Sequence, residues 1–264
     1  MDILQAIILG IVQGLTEFLP VSSSGHLVLI KELMGVDTKP NVVFETIVHA
    51  ATVLSTITIL WKMVINLFVK LFKWEWNAET QYICKLLLSI VPVMVVGLFF
   101  KDLVEKLFGE GVVLVGIMLL MTAILLSLTH FIKHKQRKEI GFGSAFVVGL
   151  AQAVAVLPGL SRSGATISTG LLLGLKKEEI AQFSFLMVLI PVLGESFLAL
   201  VGGKLSMAAS GIPVASLVAG FLAAYFSGLF ACKCMIALVK KMNLVWFAFY
   251  CFIIGVIAIA IGLC

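Results

Sequence analysis

Gln13-Gly14-Leu15-Thr16-Glu17-Phe18-Leu19-Pro20-Val21-Ser22-Ser23-Ser24-Gly25-His26 interrupts an apolar run that extends roughly from residue 3 to residue 34. Proline has no backbone donor and its ring clashes within a helix, so a helix arriving from residue 3 ends near Pro20. The serines beyond it can cap a second helix. A second apolar run, roughly 142–175, is broken in the same manner by Pro158-Gly159-Leu160-Ser161-Arg162-Ser163-Gly164-Ala165-Thr166. Each piece is roughly 11–17 residues long, short of the roughly 20 that cross a bilayer. Irregular backbone at membrane depth is tolerated only where protein or a wet cavity surrounds it. Both regions are therefore read as re-entrant helix pairs.

The rest of the chain agrees with a membrane setting. It has 264 residues, 61% hydrophobic and 12% charged, against about 25% charged in soluble domains. Six further segments are long and apolar enough to span, at roughly 41–61, 82–100, 112–132, 180–201, 212–232 and 244–263. No polar stretch is long enough to close a separate soluble core, so residues 1–264 are expected to form a single membrane domain. The opening MDILQAIILG lacks the basic flank and cleavage site of a secretory signal. The net charge of +5 sits in short loops, a pattern of membrane orientation rather than nucleic-acid binding. Cys84, Cys232, Cys234, Cys251 and Cys264 have no zinc spacing and read as small packing residues without disulfides.

Sliding the sequence by 139 places Gly10 on Gly149, Gln13 on Gln152, Ser22 on Ser161, Ser24 on Ser163, Gly25 on Gly164 and Phe44 on Phe183. Leu19-Pro20 meets Leu157-Pro158 at 138. Polar and glycine matches at both breaks indicate an internal repeat, about 1–138 and 139–264. One re-entrant pair and three spans per half make the second half upside down relative to the first. The fold class expected is thus an all-α polytopic membrane protein: an inverted-topology repeat with six full spans and two re-entrant pairs. Lys62, Lys70 and Lys73, then Lys133, Lys135, Arg137 and Lys138, then Lys233, Lys240 and Lys241 fall on one side, which is cytoplasmic. Both termini are then outside. Inverted repeats put the ligand site where their broken helices meet.

The two breaks carry complementary chemistry. Gln13 and Glu17 share one helix face, and a carboxylate in an apolar helix must line a cavity or meet a cation. Ser22, Ser23 and Ser24 are capping hydroxyls or nucleophiles, and His26, one turn on, titrates near neutral pH. Ser161, Arg162, Ser163 and Thr166 open a short helix whose N-terminus, with a guanidinium fork, suits an anion such as phosphate. Arg162 pairing with Glu17 across the repeat interface is the structural alternative. A diphosphate would use both breaks, since phosphoryl transfer asks mainly for positioning and charge stabilisation. Glu45 and His49, four apart, lean toward the same cavity or pack. Glu195 is a further intramembrane acid, Gln152 a tie between the halves, and Trp74 and Trp76 an interfacial anchor. His130 and His134 read as solvated.

At QGLTEFLPVSSSGH, residues 13–26, and LPGLSRSGATIS, residues 157–168, the chain resembles the undecaprenyl-pyrophosphate phosphatases of the bacitracin-resistance type. The resemblance implies a bacterial plasma-membrane hydrolase that converts the C55 isoprenyl diphosphate to the monophosphate and returns the carrier to cell-wall synthesis. It implies a divalent cation, Mg2+ or Ca2+, with Gln13 and Glu17 at the metal-binding element. Ser22, Ser23, Gly25 and His26 match the serine element, Ser23 as nucleophile with Glu17 or His26 as base. Ser161, Arg162, Ser163 and Thr166 match the element that holds the diphosphate, joined by Ser22, Ser24 and Gly25. Gln13 stands where some members have Glu, and Ser24 where Thr is common. The partners implied are the polyprenyl diphosphate and the bilayer, with no nucleic acid; a homodimer is compatible with the sequence. The rival reading is a transporter or flippase of the lipid carrier, because broken helices in inverted repeats are also transporter architecture.

Overall fold

The computed structural model describes residues 1–36, 41–73, 75–108, 111–131, 138–202, 211–241 and 243–263. The side chains of Lys101, Glu105, Phe108, Glu195, Leu200, Lys240 and Lys241 lie outside this description, as do Trp74, Lys133, His134, Lys135, Arg137 and Cys264 entirely. Among the described residues the chain is helical, and a lone bridge between Lys138 and Leu175 is its only β pairing.

The first break lies where proline predicts it. Helix α1, Ile3–Phe18, starts in a capping box: Gln5 N donates to Asp2 Oδ1 at 2.7 Å and Asp2 N to Gln5 Oε1 at 2.9 Å. It stops at Leu19, which is extended at φ −71°, ψ 143° as the residue before a proline prefers. Helix α2, Ser23–Leu33, begins after the N-cap Ser22 and packs back on α1. The second break repeats the device with α8, Phe142–Val154, and α9, Arg162–Leu172, capped by Ser161. Helices α2 and α9 begin and end 139 residues apart.

Among the described residues six helical stretches are long and apolar enough to cross a membrane. They are α3 Val42–Ile59, α5 Ala78–Phe99, α7 Val112–Phe131, the pair α10 Lys177–Met187 and α11 Leu189–Val201, α12 Val214–Lys241, and α13 Val245–Leu263. Three features differ from the sequence reading. The fourth span is interrupted at Val188, because Pro191 cannot donate to the Met187 carbonyl and its ring crowds it. The fifth runs nine residues past the expected end, so Lys233, Lys240 and Lys241 belong to the helix rather than to a loop. Two stretches read as loops are helices: α4, Trp61–Leu71, which buries no residue, and α6, Lys101–Phe108.

Helix packing follows small residues rather than bulk. Two apolar helices gain little from hiding from lipid, so close backbone approach and interhelical hydrogen bonds decide the contacts. Helix α1 crosses α12 so closely that a Cβ on Gly14 would lie 2.1 Å from Ser227 Oγ and 2.5 Å from the Ala224 carbonyl. Helices α7 and α13 meet at Gly116 and Gly255, a pair 139 apart, where a Cβ on Gly116 would lie 2.8 Å from the Gly255 carbonyl. Helix α5 packs on α8 as α12 does on α1. Phe44 and Phe183, at the same spacing, are both fully buried. The outward faces keep Leu98, Phe99, Phe131, Phe230 and Trp246 exposed, as lipid-facing positions require. Cys84, Cys232, Cys234 and Cys251 are free thiols.

Candidate active site where the two breaks meet

The two breaks share one carboxylate, that of Glu17, with Arg162 reaching it from 145 residues away. Glu17 lies in the last turn of α1, with its side chain 10% exposed. Its Oε1 accepts from an Arg162 terminal nitrogen at 2.7 Å. Its Oε2 accepts from Ser23 Oγ at 2.6 Å and from Gln13 Nε2 at 2.8 Å, and His49 Nε2 lies 3.9 Å from the same oxygen. Ser23 and Arg162 each occupy the first position of their helix, after an N-cap serine. Ser23 and Arg162, 139 residues apart, therefore meet on opposite oxygens of Glu17.

Both caps are built alike. Ser22 Oγ accepts from Gly25 N at 3.2 Å, and Ser161 Oγ from Gly164 N at 3.0 Å. Each cap satisfies the third amide of its helix. Among the described residues nothing accepts from the amides of Ser23, Ser24, Arg162 or Ser163, so two helix N-termini with free donors and positive dipole ends face the site. Ser24 Oγ accepts from Gly159 N at 3.4 Å, and Ser163 Oγ donates to the Leu19 carbonyl at 3.0 Å, so each break is bonded to the other. Thr166 turns inward to Ser184 Oγ at 2.6 Å and to the Arg162 carbonyl at 2.8 Å. Gly25 approaches Gly159, its Cβ position being 3.3 Å from Gly159 Cα.

His26 is placed differently from the other candidates. Its Nδ1 is 2.7 Å from the Ser22 carbonyl and its Nε2 is 2.8 Å from the Tyr250 hydroxyl. Both ring nitrogens are engaged away from Ser23, whose hydroxyl is given to Glu17. Of the two bases that the sequence offers for Ser23, Glu17 is the one in contact.

The fit of a divalent cation can be judged from the donor set. Among the described residues no group of three or more His, Cys, Asp or Glu converges. Gln13 is fully buried and gives Nε2 to Glu17, leaving its Oε1 buried without a partner. One carboxylate and one orphaned amide oxygen suit a hard, oxygen-seeking ion that brings ligands with it, as Mg2+ does with substrate phosphates.

Several contributors were not legible in the sequence. Tyr250 and Thr122, which accepts from Ser161 N at 3.1 Å, lie in spans with no motif around them. Their signal is only that of a polar group in an apolar helix. Lys31, buried in α2, donates to Glu45 at 2.7 Å, so Glu45 is committed to that pair while His49 turns toward Glu17. Gln152 makes no direct bond to Gln13; its Nε2 is buried without a partner, and the residue lines a cleft behind Arg162 with Thr52, Thr56 and Ser184. His130 is exposed, and its ring accepts a bond from Asn243, in the link between α12 and α13. The Glu195 side chain, read as a further acid, lies outside the described residues.

Residues 6–257 match the family model described as bacitracin resistance protein BacA. The chain is 52% identical to a protein of Bacteroides fragilis over 99% of both chains, and 53% identical to one of Parabacteroides distasonis over 97% of both. It is 38% identical to one of Methanosphaera stadtmanae over 99% of both. All three relatives carry the name undecaprenyl-diphosphatase.

Proposed function

The chain belongs to the bacitracin resistance protein BacA family, and from that premise we propose that it is an undecaprenyl-diphosphatase. It is an integral membrane hydrolase that cleaves undecaprenyl diphosphate to undecaprenyl phosphate and inorganic phosphate. The lipid carrier is thereby recycled for cell-wall synthesis, and bacitracin, which acts on that cycle, is resisted. The observation that carries the reading is the double engagement of Glu17, with a serine hydroxyl on one oxygen and a guanidinium on the other.

In the mechanism proposed, Ser23 Oγ attacks the terminal phosphorus while its proton passes to Glu17 Oε2 along the 2.6 Å hydrogen bond already in place. The bridging P–O bond breaks and the lipid leaves as its monophosphate. Water then cleaves the phosphoserine, with Glu17 returning the proton to Ser23. Arg162 has further N–H groups beside the one given to Glu17, and these take non-bridging oxygens. The free amides of Ser23, Ser24, Arg162 and Ser163 add donors aimed at the same charge. Ser161 and Ser22 fix the two helix starts, Gly25 keeps them close, and Thr166 orients Arg162 through its carbonyl. A divalent cation, Mg2+ or Ca2+, would be held by Glu17 and Gln13 Oε1 together with the substrate, and would neutralise charge on the diphosphate oxygens.

The topology belongs to the same proposal. Helices α2 and α9, Phe44 and Phe183, and Gly116 and Gly255 all keep the 139-residue spacing, which supports an inverted repeat of about 1–138 and 139–264. Lys62 and Lys70 on α4, with Lys138, mark the cytoplasmic side and leave both termini outside.

The test is phosphate release by purified protein in detergent, given undecaprenyl diphosphate and Mg2+ or Ca2+. Release that stops with a chelator and returns with the ion supports the proposal. Detergent abolishes transport but not hydrolysis, so a protein that only moves the carrier releases nothing.

A further inference from the structure

The turn that carries the nucleophile is held from the far end of the chain. Ser22 has φ +71° and ψ 99°, and it is the only non-glycine with positive φ among the described residues. Such a conformation is strained and persists only where the surroundings enforce it. Two consecutive residues of α13 bond to Pro20 and His26, on either side of Ser22. Cys251 Sγ donates to the Pro20 carbonyl at 3.6 Å. Tyr250 reaches His26 Nε2 at 2.8 Å, with the two rings stacked 5.6 Å apart and 7° from parallel.

The partners of His26 define its protons. The Ser22 carbonyl can only accept, so Nδ1, 2.7 Å away, carries hydrogen. In the neutral ring Nε2 is then a lone pair, and it accepts the Tyr250 hydroxyl. The same Ser22 carbonyl accepts the His26 amide at 3.2 Å, the first bond of α2. The imidazole thus fastens the carbonyl that begins the helix, and the tyrosine fastens the imidazole.

We infer that Tyr250 is a positioning residue for the reaction. By donating to His26 it fixes the Nδ1–H tautomer, which holds Ser22 in its strained conformation and so sets Ser23 at the start of α2 with its hydroxyl on Glu17. His26 in this arrangement aligns the nucleophile rather than deprotonating it. The consequence for rate rests on the diphosphatase reading; the tautomer does not.

Tyr250→Phe keeps the stacked ring and removes the donor. In detergent, 15N spectra of histidine-labelled protein are expected to give a single Nδ1–H form for His26 in the wild type. An Nε2–H population is expected to appear in Tyr250→Phe. With undecaprenyl diphosphate, kcat is expected to fall about tenfold, the worth of one positioned hydrogen bond, with KM changed less than about twofold. Added to His26→Ala, Tyr250→Phe should cost nothing further, because both act through one contact. Wild-type kcat in Tyr250→Phe, an equal fall in the His26→Ala background, or an Nε2–H ring in the wild type would each overturn the inference. A wild-type protein that releases no phosphate removes the diphosphatase reading and leaves the spectra to judge the contact.

Discussion

Glu17→Gln separates the chemical role of the carboxylate from its structural one. The substitution keeps the shape of the side chain but gives it one acceptor and one donor end. With its oxygen toward Arg162, its amide nitrogen faces Ser23 and Gln13. The Ser23 hydroxyl can turn to accept, and the Gln13 amide can flip to present Oε1, which has no partner in the native site. Hydrogen bonding therefore survives, while the acceptor for the Ser23 proton and the counter-charge for Arg162 are both lost. Loss of a general base costs about 10^2–10^4 in rate, and that is the fall expected in kcat. Breaking a fully buried ion pair costs about 3–5 kcal/mol. Arg162 is 29% exposed, so solvent screens part of its charge, and the expected loss of stability is about 1–3 kcal/mol. Phosphate release and thermal melting in detergent read the two effects. Adding Arg162→Gln to Glu17→Gln removes the uncompensated charge, and should recover part of the melting temperature and none of the rate. Glu17→Gln protein that releases phosphate within about threefold of the wild type, or a double variant that melts below both single ones, would refute this account of the site.

Two glycine substitutions probe the packing that brings the breaks together. Gly14→Ala puts a methyl 2.5 Å from the Ala224 carbonyl, a backbone atom that cannot turn aside, so α1 and α12 must part. A loss of about 1–3 kcal/mol, read as a lower melting temperature, is expected. Gly159→Ala meets the Val115 carbonyl at 2.7 Å and must also adopt φ +93°. Strain and clash should together cost about 1–3 kcal/mol or more, and phosphate release should fall because residue 159 leads the chain toward Arg162.

The sequence made the breaks legible because their physics is local. Pro20 ends α1 through its own ring, and Ser22 and Ser161 cap the helices that follow through amides three residues on. The meeting of Glu17 with Arg162 was legible for a different reason. Two opposite charges in apolar segments of one chain have few other places to go. What could not be read was set by tertiary contact. Lys31 and Glu45 have no helical spacing that joins them, and their pairing depends on how α2 lies against α3. The extension of α12 to Lys241 was missed because the apolar run ends near residue 232 while the helix continues through polar residues. The engagement of His26 was invisible because its partner, Tyr250, is 224 residues away in a span without pattern.

The placement of these unread contacts has a physical logic. A helix break within a membrane frees backbone groups that lipid cannot satisfy. Helix α7, from the first half of the chain, answers the second break: Thr122 accepts the Ser161 amide, and Val115 closes over Gly159. Helix α13, from the second half, answers the first, with Cys251 on the Pro20 carbonyl and Tyr250 on His26. These two helices are joined to each other at Gly116 and Gly255. Each broken segment thus has its own caps and a further brace from a helix in the other half of the chain. It follows that Ser23 and Arg162 can be aligned on Glu17 only once both parts of the chain have docked, so the site proposed here and the completed fold are formed by the same set of contacts.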